Sequence, residues 1–297
     1  MRKRLTLALA ALAAGLSFTL TGTANPKGPA QLVSSVTLSM ASENFGGLSG
    51  IEILDNGNAL LAVTDRGFLL RADLTRDATG AATGIKNGVL EPLLTPKGKA
   101  LGKYQGDSEG IALRPDGTFY ISFEADHRVW LYDGARTATP TGKPHPDFAG
   151  FQNNSGMEGL AADARGYAYA LPERSGDLAR PFPVYRFDGK TWDQPFALRR
   201  DGGYLATGLD FGPDGKLYLL EREFTGLAFK SRVRRFDVTG DRVNSEETIL
   251  ETSPGTHDNL EGISVWRDDA GKTRLTLIAD DNFNFFQTSE LAEYVLN

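Results

Sequence analysis

The sequence predicts an all-β fold, a five-bladed β-propeller, on three observations. One block of short apolar runs and tight turns recurs five times. The glycines near the head of these blocks, at positions 50, 110, 159, 208 and 262, lie 60, 49, 49 and 54 residues apart. No amphipathic helical stretch of useful length interrupts them. Periods of this size, built from short strands and Asp-Gly turns, mark a propeller.

The first block runs 49–54, turns at Asp55-Asn56-Gly57, and continues through 59–66 and 68–73. The second is 108–113, a turn ending at Gly117, 118–124 and 128–133. The third is 157–162, a turn ending at Gly166, 167–174 and 184–188. The fourth is 207–211, a turn ending at Gly215, 216–222 and 232–238. The fifth is 260–265, a longer turn through Gly271, and 273–280. Asp-Gly and Asn-Gly suit the positive φ that tight hairpin turns require. Outer fourth strands are expected at 88–95, weakly within 136–148, at 194–200 and at 242–251. The last block lacks one. The strand-like segment 31–39 at the other terminus is therefore expected to complete the last blade, closing the ring and removing exposed edges. A sixth blade would have to lie within the 75–106 connection.

Arg2, Lys3 and Arg4 precede an apolar run from Leu5 to Leu20, and Thr21-Gly22-Thr23-Ala24 offers small residues for cleavage. This is the layout of a signal peptide over 1–24, with one propeller domain over 25–297. The expected location is periplasmic or extracellular. No later stretch approaches the roughly 18–20 apolar residues of a membrane helix, so no stable membrane anchor is expected. Removing three basic and no acidic residues moves the net charge from −6 to −9. An acidic exported chain is a poor nucleic-acid binder. There is no cysteine, which rules out disulfides, thiol nucleophiles and thiolate metal sites.

Propeller geometry makes these positions spatial. Residues just before each inner-strand glycine, and residues ending each second strand, meet on one rim. The first set is Ser49, Glu109, Glu158, Thr207 and Glu261; the second is Asp65, Glu124, Glu173, Glu221 and Asp280. Eight carboxylates around one channel mouth repel one another unless cations compensate. Arg66, Arg174 and Arg222 neutralise part of this charge, and the remainder suits a hard cation, Ca²⁺ before Mg²⁺ or Mn²⁺. Asp107, His257, Asp258, Asn259 and Asn282 lie on segments entering the same rim. His127 and His257 are candidate general bases, whereas His145 sits between prolines and is expected at the surface. Gly106-Asp107-Ser108-Glu109-Gly110 fits a nucleophile-elbow pattern, but no helix follows, so Ser108 is not expected to be a nucleophile.

Asp107-Ser108-Glu109-Gly110, Met157-Glu158-Gly159, Leu260-Glu261-Gly262, Glu173-Arg174, Glu221-Arg222 and Asp280-Asp281-Asn282 together resemble exported bacterial proteins of the phytase-like family. The resemblance spans about residues 45–297 and implies a propeller that hydrolyses phosphate or carboxylate esters. A more distant resemblance, to calcium-dependent lactonase propellers, implies metal ligation by the glutamate before the glycine: Glu109, Glu158 or Glu261. Ser49 and Thr207 depart from that pattern. The expected site is then Glu109, Glu158, Glu261 and Asp280 for the metal, and Arg66, Arg174, Arg222 and Asn282 for a small anionic or ester substrate. His257 and Asp107 would handle protons. A monomer is expected. The rival reading is a non-catalytic propeller that binds a ligand or peptide and carries a structural metal.

Overall fold

A computed structural model describes residues 26–102, 104–134, 137–152, 156–284 and 287–296. The leader segment, Phe285 and Phe286 lie outside these residues.

Five four-stranded antiparallel sheets form a ring. A first strand, β1 (Ala30–Thr37), precedes the blades. Blade I is β2 (Leu48–Leu54), β3 (Ala59–Thr64), β4 (Phe68–Arg76) and β5 (Ala82–Pro92). Blade II is β6 (Ser108–Leu113), β7 (Phe119–Phe123), β8 (Arg128–Tyr132) and β9 (Ala138–Pro140). Blade III is β10 (Met157–Ala162), β11 (Ala168–Pro172), β12 (Phe182–Phe187) and β13 (Trp192–Leu198). Blade IV is β14 (Leu205–Phe211), β15 (Leu217–Phe224), β16 (Phe229–Thr239) and β17 (Arg242–Glu251). Blade V is β18 (Asn259–Arg267), β19 (Thr273–Asp280) and β20 (Glu290–Leu296). Its fourth strand is β1, which pairs antiparallel with β20 from Ala30↔Leu296 to Thr37↔Glu290. The expected closure by the N-terminal strand is therefore observed. Only short 3₁₀ turns, Asp55–Gly57 and Pro146–Gly150, interrupt the strands among the described residues. The 75–106 connection contributes β5 and no sixth blade.

Apolar residues on both faces of each sheet pack between blades, so there are five wedge-shaped cores rather than one. Ile51, Ile111, Leu160, Leu209 and Ile263, each following an inner-strand glycine, belong to five different clusters. Leu48, Ile51 and Leu60 of blade I pack with Ile278 and Leu291 of blade V, joining last to first. The glycines themselves permit close approach of the inner strands. A Cβ on Gly50 would stand 2.9 Å from the Glu109 carbonyl oxygen, and one on Gly208 would stand 2.8 Å from that of Glu261. Real side chains do not fit there, so the Gly-led repeat reflects the crowding of five strands around an axis.

Candidate functional site: a carboxylate ring at the channel mouth

Every inner strand carries the same irregularity. Its pairing with the second strand slips by one residue between Leu48 and Gly50, Ser108 and Ile111, Met157 and Gly159, Ala206 and Gly208, and Leu260 and Gly262. A β-bulge adds a residue with no ladder partner and re-aims its side chain. The bulge falls at Ser49, Glu109, Glu158, Thr207 and Glu261, the predicted inner set. Glu109, Glu158 and Glu261 are buried and gather with Ser49 and Thr207 around the channel. The channel itself is narrow: its cavity is about 10 Å³, room for about one water. A substrate must therefore lie on the rim.

The same registers correct the second set. Thr64, Phe123, Pro172 and Ala279 each pair with the residue preceding a bulge. In blade IV that position belongs to Glu221, opposite Ala206, and Arg222 follows it. The rim set is thus Asp65, Glu124, Glu173, Arg222 and Asp280. Glu221 points to the other face of its sheet, because a one-residue slip reverses a strand side chain. There it is fully buried and accepts hydrogen bonds from Arg232 Nε at 2.9 Å and from Arg234 Nε and Nη2 at 2.7 Å each.

Arg222 lies inside the acidic ring. It donates to Asn259 Oδ1 and Glu261 Oε1, and to Glu173 Oε1 at 3.2 Å. Asn259 Nδ2 also donates to Glu261 Oε1 at 2.7 Å. Glu261 is therefore well supplied with donors. Glu109 and Glu158 are not. Both are about nine-tenths buried, and no donor among the described residues reaches them except neighbouring carboxyl groups. Burial, followed by repulsion from Glu158, Glu261, Asp107 and Glu124, holds the Glu109 carboxyl well above its ordinary pKa. Glu158 is raised in the same way by burial and by Glu261, Glu173 and Glu124, against the opposing pull of Arg222. Burial leads the rise of Glu124 to about 7, of Asp65 to about 7 and of Asp280 to about 8, with nearby acids adding to it. Asp65 Oδ1 is buried with no hydrogen-bond partner. One oxygen each from Asp107, Glu109 and Glu124 lies within 4.8 Å of the others. That trio retains Glu109 and adds Asp107 and Glu124 to the ligands expected from sequence. Asp280 stands on the opposite side, its Oδ1 accepting Asn282 N at 2.6 Å.

The other predicted residues are placed as follows. Arg66 is exposed at the rim, its guanidinium 3.1 Å from the centre of the Phe283 ring. Arg174 is exposed beside Glu173, donating to Glu173 Oε2 at 3.1 Å. Asn282 is exposed and reaches Gln287 Oε1 at 3.4 Å. His257 is not brought to the acids. It is buried in blade V, where Nδ1 meets Glu290 Oε1 and Nε2 meets the Tyr294 hydroxyl, each at 2.5 Å. With both nitrogens engaged it has no free position for a substrate proton, which corrects the expected general-base role. His127 lies nearer the ring, packed against Gly156, whose N–H donates to Glu124 Oε1 at 2.8 Å. Ser108 is buried and donates to the Thr64 carbonyl at 2.6 Å, in keeping with its exclusion as a nucleophile. A closer sequence signal for Glu124 existed: it ends its strand as Glu173 does.

The molecule is thus a five-bladed propeller with a carboxylate-lined channel mouth. The family model described as phytase-like, esterase-like activity of phytase, matches residues 43–283, and the chain belongs to that family. Among solved structures, one provisionally assigned as a gluconolactonase is 14% identical, with a TM-score of 0.50 over 87% of this chain and 77% of that one. A protein of unknown function from Dyadobacter fermentans is 10% identical, with a TM-score of 0.47 over 90% and 99% of the two chains. A calcium-binding protein, regucalcin, from Agrobacterium tumefaciens is 15% identical, with a TM-score of 0.44 over 84% and 76%. At such identities the likeness concerns the fold alone. No curated protein matches the chain significantly.

Proposed function

We propose that this protein is an exported, monomeric hydrolase of phosphate or carboxylate esters that works with a divalent cation, Ca²⁺ before Mg²⁺ or Mn²⁺. The carrying observation is the pair Glu109 and Glu158: buried carboxyls at the channel mouth whose hydrogen-bond partners among the described residues are other carboxyls. Ionising such a crowd of buried carboxyls is costly, and an oxygen-seeking cation removes that cost. The donor set fits such an ion, being all oxygen and clustered at Asp107, Glu109 and Glu124. Glu158 adjoins the trio, while Glu261 and Asp280 would complete the charge balance from the far side. When bound, the cation supplies Lewis acidity toward the ester oxygen.

The chain's own groups supply the rest. Arg66 and Arg174, on opposite sides of the mouth, are suited to orient an anionic substrate by charge-assisted hydrogen bonds. Arg222 holds Glu173 and Glu261 in place. Hydrolysis adds water across the ester bond: the ester C–O or P–O bond breaks, and the released alcohol takes a proton. Asp65 is suited to receive the proton lost by water, since its buried Oδ1 has no partner. The leader-like N terminus supports export, and the net negative charge supports a small ligand rather than nucleic acid.

Metal analysis of protein purified without chelator, followed by assay on aryl phosphates, phytate, aryl esters and lactones, tests the proposal. Glu109→Gln should cut turnover at least about 100-fold and abolish the rise in Tm on adding Ca²⁺. Metal-free protein that gains no stability from Ca²⁺ and turns over none of these substrates refutes it. One observation favours the binding-only reading: His257, the residue best suited to proton transfer by type, is locked to Glu290 and Tyr294. Under that reading Ca²⁺ stabilises the protein and no substrate in the panel is consumed.

A further inference from the structure

The channel admits about one water, so the bulk of any substrate rests on the rim, where grooves lie beside blade III and between blades IV and V. The groove beside blade III, about 650 Å³, carries Arg174 and Arg180. The groove between blades IV and V, about 670 Å³, has a different character. One wall is the β15–β16 hairpin, which projects beyond Arg222. At its tip Leu227 is 97% exposed and Phe224 is 58% exposed, with Phe224 packed on Phe229 at 5.1 Å between ring centres. A tight turn closes the hairpin, Thr225 N donating to the Ala228 carbonyl at 3.0 Å. The tip thus presents its apolar side chains together.

The floor of this groove is polar by residue type but already satisfied. His257 is bonded through both nitrogens to Glu290 and Tyr294. Asp258 accepts from Gln287 Nε2 at 3.1 Å and from Thr288 N at 2.9 Å. Hydrocarbon laid on such a floor leaves these internal hydrogen bonds in place, and the apolar gain comes from the hairpin wall. The groove lies next to residues that hold the carboxylate ring. Phe229 lies 5.8 Å from the Arg222 guanidinium, and Asp258 precedes Asn259, the donor to Glu261.

We propose that this groove seats the apolar acyl chain of a carboxylic ester whose carbonyl lies over the carboxylate ring. Leu227, Phe224 and Phe229 form the wall that selects chain length. The proposal rests on the ester-hydrolase reading and narrows its substrate class.

The test separates binding from turnover. NMR titration of the full chain with Ca²⁺ compares octanamide and acetamide, which carry the acyl groups but are inert. Each buried methylene is worth about threefold to fourfold in affinity, so octanamide should bind at least about 30-fold more tightly, three methylenes' worth. The doubly substituted Phe224→Ser, Leu227→Ser protein should lose at least about tenfold of that preference. Val89→Ser, which removes an equally exposed apolar side chain from the outer strand of blade I, should keep it. Both tip residues are exposed, so an unchanged Tm verifies the fold of the double variant. Equal binding of the two amides by the wild-type chain, or a preference untouched by the tip substitutions, overturns the proposal. Turnover of 4-nitrophenyl octanoate and acetate is scored separately. Amide preference without turnover of either ester refutes the hydrolase and leaves the groove standing; turnover of both with no amide preference does the reverse.

Discussion

At the channel mouth Glu109 and Glu158 are buried with hydrogen-bond partners that are other carboxyls, whereas on the far face of blade IV Glu221 is buried between Arg232 and Arg234. Deeper in the channel Glu52 and Asp210 are also buried, and each accepts a backbone N–H from the next blade: Leu113 N at 2.8 Å and Val265 N at 2.6 Å. Glu221 locks a sheet, and Glu52 and Asp210 tie neighbouring blades. Burial of an acid is therefore no mark of a site. Acids partnered by other acids are, because they gain most from a bound cation.

That contrast can be broken first at Glu221. Glu221→Ala removes the buried carboxylate shared by two guanidinium groups, leaving Arg232 only Asp201 and Arg234 only the longer contact to Glu246, and urea denaturation should show a loss of about 3 kcal/mol. In chelated protein Glu109→Gln should instead raise stability, since it removes one charge from a repelling ring. An equal loss at both positions would erase the distinction.

A pH series sharpens the comparison at the next scale. Asp65, Glu124 and Asp280 are raised to about 7, 7 and 8 in the folded chain, chiefly by burial. The folded state then binds these protons more tightly than the unfolded state. Their stabilising contribution is complete below about pH 4 and is lost as pH rises through 7 to 8. Chelated protein should have a Tm at least about 5 °C lower at pH 8 than at pH 5. Calcium should close the gap, raising Tm more at pH 8, where the ring must ionise. A gap indifferent to Ca²⁺ would remove the ion from the explanation.

The smallest effect belongs to Ser108. Its hydroxyl serves the Thr64 carbonyl, so Ser108→Ala should cost about 1 kcal/mol and leave ester turnover unchanged. Loss of turnover would return the serine to the chemistry.

Much of the ring was legible because the repeat is written in glycines and turns. Glu109, Glu158 and Glu261 each precede a glycine that steric crowding demands, so their equivalence shows along the chain. The three-residue β9 was harder to see, since Pro-rich sequence around 138–148 carries little strand pattern. Glu221-Arg222 reads like Glu173-Arg174, yet Glu221 pairs with Ala206 where Pro172 pairs with Met157, so Arg222 takes the rim position that Glu173 holds in blade III. His257 reads as a rim residue from its distance to Glu261, but its partners, Glu290 and Tyr294, come from the final strand.

The amino-acid order alone pointed to five blades, the closing strand and every rim acid but the misplaced Glu221, because those follow from local sterics and from period. Which acids are satisfied was decided only in three dimensions. Strand register sets Arg232 and Arg234 opposite Glu221, the final strand brings Glu290 to His257, and Arg222 of blade IV reaches Glu261 of blade V only because the blades stand side by side around the axis.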